Sequence, residues 1–406
     1  MNVLLVTGEF PPSPRSAGIG SYTSDLAAGL VRSGVGVVVL TASDRVWTSW
    51  QKEYAGYKVV AISGGDFFIG SGLLGKFLNR IRRRLFWRHF RLKMAATVEL
   101  LCKEHAIDII EVPEYGALSA FFSSRILPPH VVRFHGPSSL NRFAGKIDSD
   151  TGENFELETT GSAAHHTFVS KALRDVVRVS NHYPVGVPSS VLYNSVDIQE
   201  RNPWLVDEIK EGDNVISVVA VGSLGSIKGF DILLQACREL SFQGICLELH
   251  FYGRGADLER SVMQAEMQLV NGRQWVFWHG QIDREKLPLI YKNADICCFP
   301  SWFEPFGLTV LEAMHCQGLV VASRFGGWSE VIEDGQDGFL CDPREGATGL
   351  VKILKHVLTL SKEERRNIAR AAHQKIHTRF GFESFIALTA NTYSSIISQV
   401  DTSESE

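Results

Sequence analysis

Apolar positions along this chain alternate between two periods. Short continuous runs are followed by longer stretches in which apolar residues recur every three or four positions. NVLLVT (2–7) precedes GIGSYTSDLAAGLVRSG (18–34), and VGVVVLT (35–41) comes next. KVVAI (58–62), IDIIEV (107–112) and HVVRFHG (130–136) continue the series, with helical stretches among them. Runs of this kind read as strands of a parallel sheet buried on both faces, and the amphipathic stretches as the helices that cover it. The pattern restarts at NVISVVAVG (214–222), then GFDILLQACREL (229–240) as a helix and ICLELHFYG (245–253) as a strand. A helix in DREKLPLIYKNA (283–294), a strand in DICCFP (295–300), a helix in GLTVLEAMHC (307–316) and a strand in GLVVAS (318–323) complete it. The simplest architecture is two doubly wound α/β domains. The polar, aperiodic stretch LYNSVDIQERNPWLVDEIKEGDN (192–214) places the linker near 195–214.

Composition narrows the class. The 406 residues are 45% apolar, enough for two cores, and the net charge of −4 argues for no nucleic-acid partner. Seven cysteines without a C-x-x-C pair read as buried, reduced thiols rather than a disulfide framework or a zinc site. MNVLLVTGEFPP reads as a first strand rather than a signal peptide, and no apolar run approaches a spanning length, so a cytoplasmic protein is expected. The terminal DTSESE reads as a disordered tail over 400–406.

In open parallel sheets, ligands bind beyond the carboxyl ends of the strands. The strand-to-helix turns here are rich in glycine: GIG (18–20), VGSLGSIKG (221–229), YGRGAD (252–257) and EPFG (304–307). They sit in both halves, so the expected ligand site is the cleft between them. In SWFEPFGLTVLEAMHCQG (301–318), Glu304 and Glu312 flank a proline, a glycine and a predicted helix start. Pro305 biases Glu304 away from the helical region, and Val310, Leu311 and Met314 form the face turned to the core. The N–H groups near Phe306, Gly307 and Leu308 suit a phosphate. Glu304 would then accept from the hydroxyls of a sugar. Glu312, expected off the core face, would accept from those of a ribose. An acid favoring an early helical turn and a solvated glutamate account for the same pair equally well.

The wider motif set changes that balance. Glu304-x7-Glu312, VGS…KGFDILLQA (221–236), FYGRGAD (251–257), NADICCFPS (293–301) and RFGGWSEVIEDGQDGFLCDP (324–343) resemble the retaining family-4 glycosyltransferases of GT-B fold. EFPPSPRSAGIGSYTSDLAAGL (9–30), RFHG (133–136) and VLYNSVD (191–197) extend the resemblance over nearly the whole chain. What it implies is α/β architecture with two Rossmann-like domains facing across a cleft. An N-terminal acceptor-side domain would take 1–197 and a nucleotide-sugar donor domain 198–379. A C-terminal helix over 380–399 would return to the first domain.

The implied reaction is metal-independent transfer, with retained configuration, from a UDP- or GDP-sugar to a saccharide or lipid-linked acceptor, without a cofactor. Cell-surface polysaccharide or glycolipid synthesis is the expected setting. By the same resemblance Lys228 is the donor-phosphate lysine, and His135 lies near the transferred sugar with Glu304. Gly18 and Gly20 let the phosphates approach the first helix. Two departures stand out. Ser223 replaces an arginine, and a neutral hydroxyl cannot replace a bidentate guanidinium; Arg254 and Arg324 are candidates to compensate. Ala17 replaces the first glycine of a Gly-Gly pair. Ser223 motivates a second reading, a noncatalytic nucleotide-sugar-binding or partner subunit.

Two motif matches carry little. GSGLLG (70–75) fits G-x-G-x-x-G, the basis of a third reading as a nicotinamide-dependent dehydrogenase. It lacks a closely preceding strand and an acidic partner, and reads as a loop. DSD (148–150) reads as a solvated acidic loop rather than a metal site. The segment LLGKFLNRIRRRLFWRHFRLKM (73–94) is more informative, because no acid occurs between Asp66 and Glu99. Arg80, Arg84, Arg88 and Arg91 share one helical face, and Phe77, Ile81 and Leu85 line another. Such a helix fits the inner, anionic face of the plasma membrane or an anionic acceptor; a core-packed helix with a solvated basic face fits it too.

Overall fold

A computed structural model describes the chain except residues 12, 14–17, 44–47, 55, 64–72, 138–139, 141–151, 198–214, 224, 256–261, 263–272 and 405–406, and the side chains of 73–86, 152–154, 226 and 403–404. Residues 70–72 of the glycine-rich match, the DSD stretch, Ala17 and most of the expected linker lie outside the described residues. The chain forms two compact units. The first takes Met1–Ser139, Ser149–Asn194 and Phe382–Glu406, and the second Leu140–Asp148 and Ser195–Gly381.

The first unit is built on eight strands: β1 (Asn2–Val6), β2 (Gly36–Ala42), β3 (Trp50–Tyr54), β4 (Tyr57–Ile62), β5 (Ile109–Pro113), β6 (His130–Phe134), β7 (His165–Phe168) and β8 (Ser189–Val191). They lie in the order β3-β4-β2-β1-β5-β6-β7-β8. All neighbours are parallel except the hairpin β3–β4. The interior strands other than β7 are the apolar runs of the sequence, and Val3, Leu4, Val39, Ile109, Ile110 and Val132 have no exposed surface. Continuous rather than alternating hydrophobicity is what a sheet covered on both faces requires. The exposed β3 escapes that rule, because its central residues face solvent; as an antiparallel edge it has no apolar signature to read.

Among the described residues the second unit has six parallel strands: β9 (Ile216–Val221), β10 (Leu247–Tyr252), β11 (Val276–Trp278), β12 (Ile296–Phe299), β13 (Val320–Ser323) and β14 (Phe339–Cys341), in the order β11-β10-β9-β12-β13-β14. Its core packs Phe230, Leu233, Cys237 and Leu240 of the helix Phe230–Phe242 with Val218, Leu249 and Phe251, together with Leu350 and Leu354 of the helix Gly346–Thr359. All seven cysteines are free thiols, and only Cys246 is exposed.

The last helix, Phe382–Glu404, is part of the first unit. Residues 400–404, expected to be disordered, continue it. Thr402 Oγ1 donates to Ser398 O and Ser398 Oγ to Ser394 O, so the terminal polar residues return their hydroxyls to the helix instead of unwinding it. Inside the unit this helix is anchored by Tyr393, whose hydroxyl donates to Glu111 Oε2 at 2.7 Å; Tyr22 donates to the other oxygen of the same buried carboxylate at 2.9 Å. No described helix is long and apolar enough to cross a membrane.

Candidate functional site

In the second sheet the chain order runs outward in opposite directions from the neighbours β9 and β12, and the carboxyl ends of strands at such a reversal are where open α/β sheets bind ligands. The loop after β9 carries Lys228 at the end of the 3-10 turn Ser226–Lys228. The next residue, Gly229, has φ of 65°, and a Cβ there would lie 1.9 Å from the carbonyl oxygen of Pro300. Only glycine allows that approach. Trp302 N donates to Ile227 O at 2.9 Å and completes the join. The result is that Lys228 Nζ donates to Glu304 Oε2 at 2.6 Å, across 76 residues of sequence. The Glu304 side chain is 9% exposed and that of Lys228 31%.

The loop after β13 locks Glu304 from the other side. Glu304 N donates to Phe325 O at 3.2 Å, and Gly327 N to Glu304 O at 2.8 Å. Gly326, with φ of 99°, packs so closely that a Cβ would sit 1.9 Å from Glu304 O. The indole of Trp328 donates to Gly307 O at 3.1 Å. Gly307 is the N-cap of the helix Leu308–His315 and has no side chain to cap it. Phe306 is fully buried against Phe380, with ring centroids 6.3 Å apart. Glu304, Lys228 and the start of this helix are therefore brought together.

Glu312 differs from the expectation that it lies off the core face. The helix is buried from Val310 through His315, and Glu312 is buried with it. A carboxylate taken from water needs partners. Glu312 Oε1 accepts from Arg284 Nε and Oε2 from Tyr291 OH, both at 3.3 Å. The adjoining cavity, lined by these residues with Leu287, Pro288 and Cys316, holds about 20 Å³; that is room for one water and not for a ribose.

Ser223 is exposed on the loop after β9. Arg254 is exposed after β10. Arg324, also exposed, turns toward β14, where its Nη2 donates to Leu340 O at 3.4 Å.

In the first unit, His135 follows β6 and is half-buried, with its ring edge-on to Tyr22 at 4.7 Å between centroids. Burial, and secondarily the nearby Arg133 guanidinium, hold its pKa well below the usual imidazole value, so the ring is neutral at pH 7. Its backbone N–H donates to both carboxylate oxygens of Glu114 at 3.0 Å, and Gly136 N–H to Glu114 Oε1 at 2.6 Å. Gly18 and Gly20 open the helix Gly18–Arg32. Gly18 has open space where a Cβ would stand, and Gly20 N–H donates to Glu9 Oε1 at 3.0 Å. An acid of the chain thus engages that helix start, in keeping with its dipole.

The basic helix spans Leu73–Glu104. The side chains of Arg80 and Arg84 lie outside the described residues. Arg88 is exposed, 5.9 Å above the Phe121 ring. Arg91 turns inward. Its Nε donates to Gly116 O at 2.8 Å, and its guanidinium lies over Phe155 at 4.9 Å. The aliphatic stem and planar head pack where a lysine would not, so Arg91 is not a member of a freely solvated face.

Sequence reasoning passed over Glu114, Arg284 and Trp328. The only cue for Glu114 was an acid in VPEYG at a strand end. Arg284 and Trp328 act through backbone or side-chain partners far away in sequence, which no local pattern marks.

Comparison with known proteins agrees with this architecture. Residues 206–375 match the family described as Glycosyl transferases group 1, and residues 16–200 match Glycosyltransferase Family 4. A glycogen synthase of Mycobacterium tuberculosis is 25% identical over 409 aligned positions, covering 97% of this chain and 94% of the relative. A D-inositol 3-phosphate glycosyltransferase of Arthrobacter is 30% identical over 186, covering 44% of this chain and 42% of the relative. Among solved structures, sucrose-phosphate synthase of Thermosynechococcus elongatus superposes with a TM-score of 0.78 at 18% identity, covering 98% of this chain and 99% of that one. Anabaena HepE, solved in complex with UDP-glucose, gives 0.67 at 19% identity, covering 97% and 100%.

Proposed function

Because the chain belongs to the group 1 and family 4 glycosyltransferases of GT-B fold, we propose that it moves a sugar from a nucleoside diphosphate sugar to a hydroxyl of a saccharide or lipid-linked acceptor. The observation that carries this reading is the Lys228–Glu304 pair at the start of the helix Leu308–His315. A diphosphate arriving there meets one ammonium and the open N–H groups of a helix. Both stabilise the negative charge that grows on the leaving group as the glycosidic bond breaks. The phosphate competes with Glu304 for Lys228, and the released carboxylate, on a main chain still held by the Phe325–Gly327 loop, accepts from hydroxyls of the sugar. Its work is positioning rather than proton transfer. His135, neutral and edge-on to Tyr22, is assigned to the sugar by the resemblance of RFHG. Metal independence and retained configuration belong to the same proposal. Glu312 reaches a ribose only if Arg284 releases it.

Ser223 favours a second reading, a binding subunit that holds nucleotide sugar without turnover. A missing charged donor at this place costs about 2–4 kcal/mol of transition-state stabilisation. A thermal-shift screen of UDP, GDP, ADP and their glucose and mannose conjugates, followed by radiolabelled transfer and hydrolysis assays, separates the two. Selective stabilisation with turnover that falls at least a hundredfold in Lys228→Ala supports the transferase. Stabilisation without turnover over a broad acceptor panel supports the binding subunit. Wild-type rates in both Lys228→Ala and Glu304→Ala refute the assigned roles.

A further inference from the structure

The loop after β5 is built with more constraint than a connection needs. Gly116 and Ala117 take positive φ in succession, 80° and 51°, and Ala117 is fully buried. A non-glycine residue held in that region costs of order 1 kcal/mol or more and persists where its surroundings over-determine it. Those surroundings are explicit. Gly116 O accepts from Arg91 Nε at 2.8 Å, and Gly116 N–H donates to the buried Glu156 at 2.9 Å. Both polar groups of this glycine are gripped, from the helix Leu73–Glu104 and from the helix Gly152–Glu158.

What the clamped turn delivers is Glu114. Its side chain has no exposed surface, and its carboxylate receives the N–H groups of His135 and Gly136 from the neighbouring strand end. Gly136 has φ of 133°, a conformation side chains rarely adopt, so the two amides converge on one acceptor. We propose that Glu114 is a positioning residue for His135: a carboxylate latch between the ends of β5 and β6 that is closed when ionised and loosens when it takes up a proton. The chemistry is a matter of charge. Both amides reach Oε1, and the His135 N–H reaches Oε2 as well. Protonation removes the negative charge that strengthens these bonds and turns one oxygen into a donor, so both amides are held less tightly.

Burial places the change near neutrality. Burial is the main cause that raises the Glu114 carboxyl to about 7; the amides of His135 and Gly136 oppose this, and the like charge of Glu156 adds to it. The other titratable or charged groups packed around the latch are Arg91, Arg133, His135, Tyr22 and Glu111. His135 is neutral through the range. Tyr22 is raised well above its ordinary value, mainly by burial, and stays protonated. Burial therefore sets Glu114 apart from His135 and Tyr22, since of the three it is the one raised to about 7.

The role rests on the reading of His135 given above, while the latch itself can be tested without substrate. Hydrogen–deuterium exchange of the full, ligand-free chain is followed by mass spectrometry on peptides spanning 130–137, corrected for intrinsic exchange, between pH 5.5 and 8.5. Protection of the His135 and Gly136 amides in the wild type should rise by roughly tenfold or more on passing upward through about pH 7. Glu114→Gln, which carries no charge at any pH, should hold both amides weakly throughout and abolish the step. Glu114→Asp should restore a step at lower protection. With an active donor in hand, kcat should follow the same pH step in the wild type and lose it in Glu114→Gln, with KM little changed. Equal, pH-independent protection in wild type and Glu114→Gln overturns the latch. A latch that titrates in a chain without transferase activity leaves the latch standing and overturns the functional reading of His135.

Discussion

Removing either partner of the Lys228–Glu304 pair should cost different amounts, and the difference follows from their burial. Lys228→Ala leaves a carboxylate that is 9% exposed without its cation. Glu304→Ala leaves an ammonium that is 31% exposed and free to turn toward water. Fully buried pairs cost about 3–5 kcal/mol when one member is deleted, and exposed pairs contribute about 0.2–1 kcal/mol. Discounted for the solvent that reaches Lys228, the loss should be about 2 kcal/mol for Lys228→Ala and about 1 kcal/mol for Glu304→Ala. The double variant should be no worse than Lys228→Ala alone, giving a coupling of about 1–2 kcal/mol. The assay is urea denaturation at neutral pH, with the two units' transitions fitted separately because a two-unit chain need not unfold in one step. In 0.5 M salt the coupling should shrink only in part, since a half-buried pair is incompletely screened. Single-variant losses that add to within about 0.3 kcal/mol in the double variant would refute the argument. The 2.6 Å contact would then be energetically idle.

Two further outcomes follow from the same geometry. Gly326→Ala places a Cβ 1.9 Å from the carbonyl oxygen of Glu304 at a φ of 99°. It should destabilise the second unit by about 2 kcal/mol or more and abolish the thermal shift given by nucleoside diphosphates, whereas Gly18→Ala, which meets open space, should leave the stability of the first unit unchanged. The pH dependence has a definite sign as well. Burial is the main cause that lowers His130 and His166 to about 4, so the unfolded chain binds more protons than the folded one between about pH 4 and 6.5. Stability should therefore rise with pH across that window and be lost on acidification, by up to about 3 kcal/mol for each ring. His130→Phe should flatten the acid limb in denaturant titrations at pH 4.5 and 7; an unchanged limb would show that His130 is not buried as a neutral ring.

The alternating architecture was legible because it is written locally. A strand covered on both faces is usually a continuous apolar run, and a helix lying on a sheet carries an apolar stripe; β7, with His166 and Thr167 buried, departs from the first rule and left no such mark. The glycines of the strand-end turns were legible for a similar reason, since Gly229, Gly307 and Gly326 all take positive φ. The exposed hairpin strand β3 and the short β8 were not, because neither carries a buried face. At the candidate site, the convergence of Glu304 with the helix start was visible in the spacing around Pro305. The burial of Glu312 was not, because helical periodicity cannot show that a second helix and a guanidinium approach the polar face.

The amino-acid sequence alone marked most of the segments that become strands and helices, and the glycine-rich turns between them. These properties depend on residues a few positions apart. The tertiary structure decided the partnerships: Lys228 with Glu304, Arg284 and Tyr291 with Glu312, Arg91 and Glu156 with Gly116, and Glu114 with the amides after β6. Each joins groups carried by different elements. A hydrogen bond depends on a separation in space good to a fraction of an ångström, and that separation exists only once the sheets have assembled.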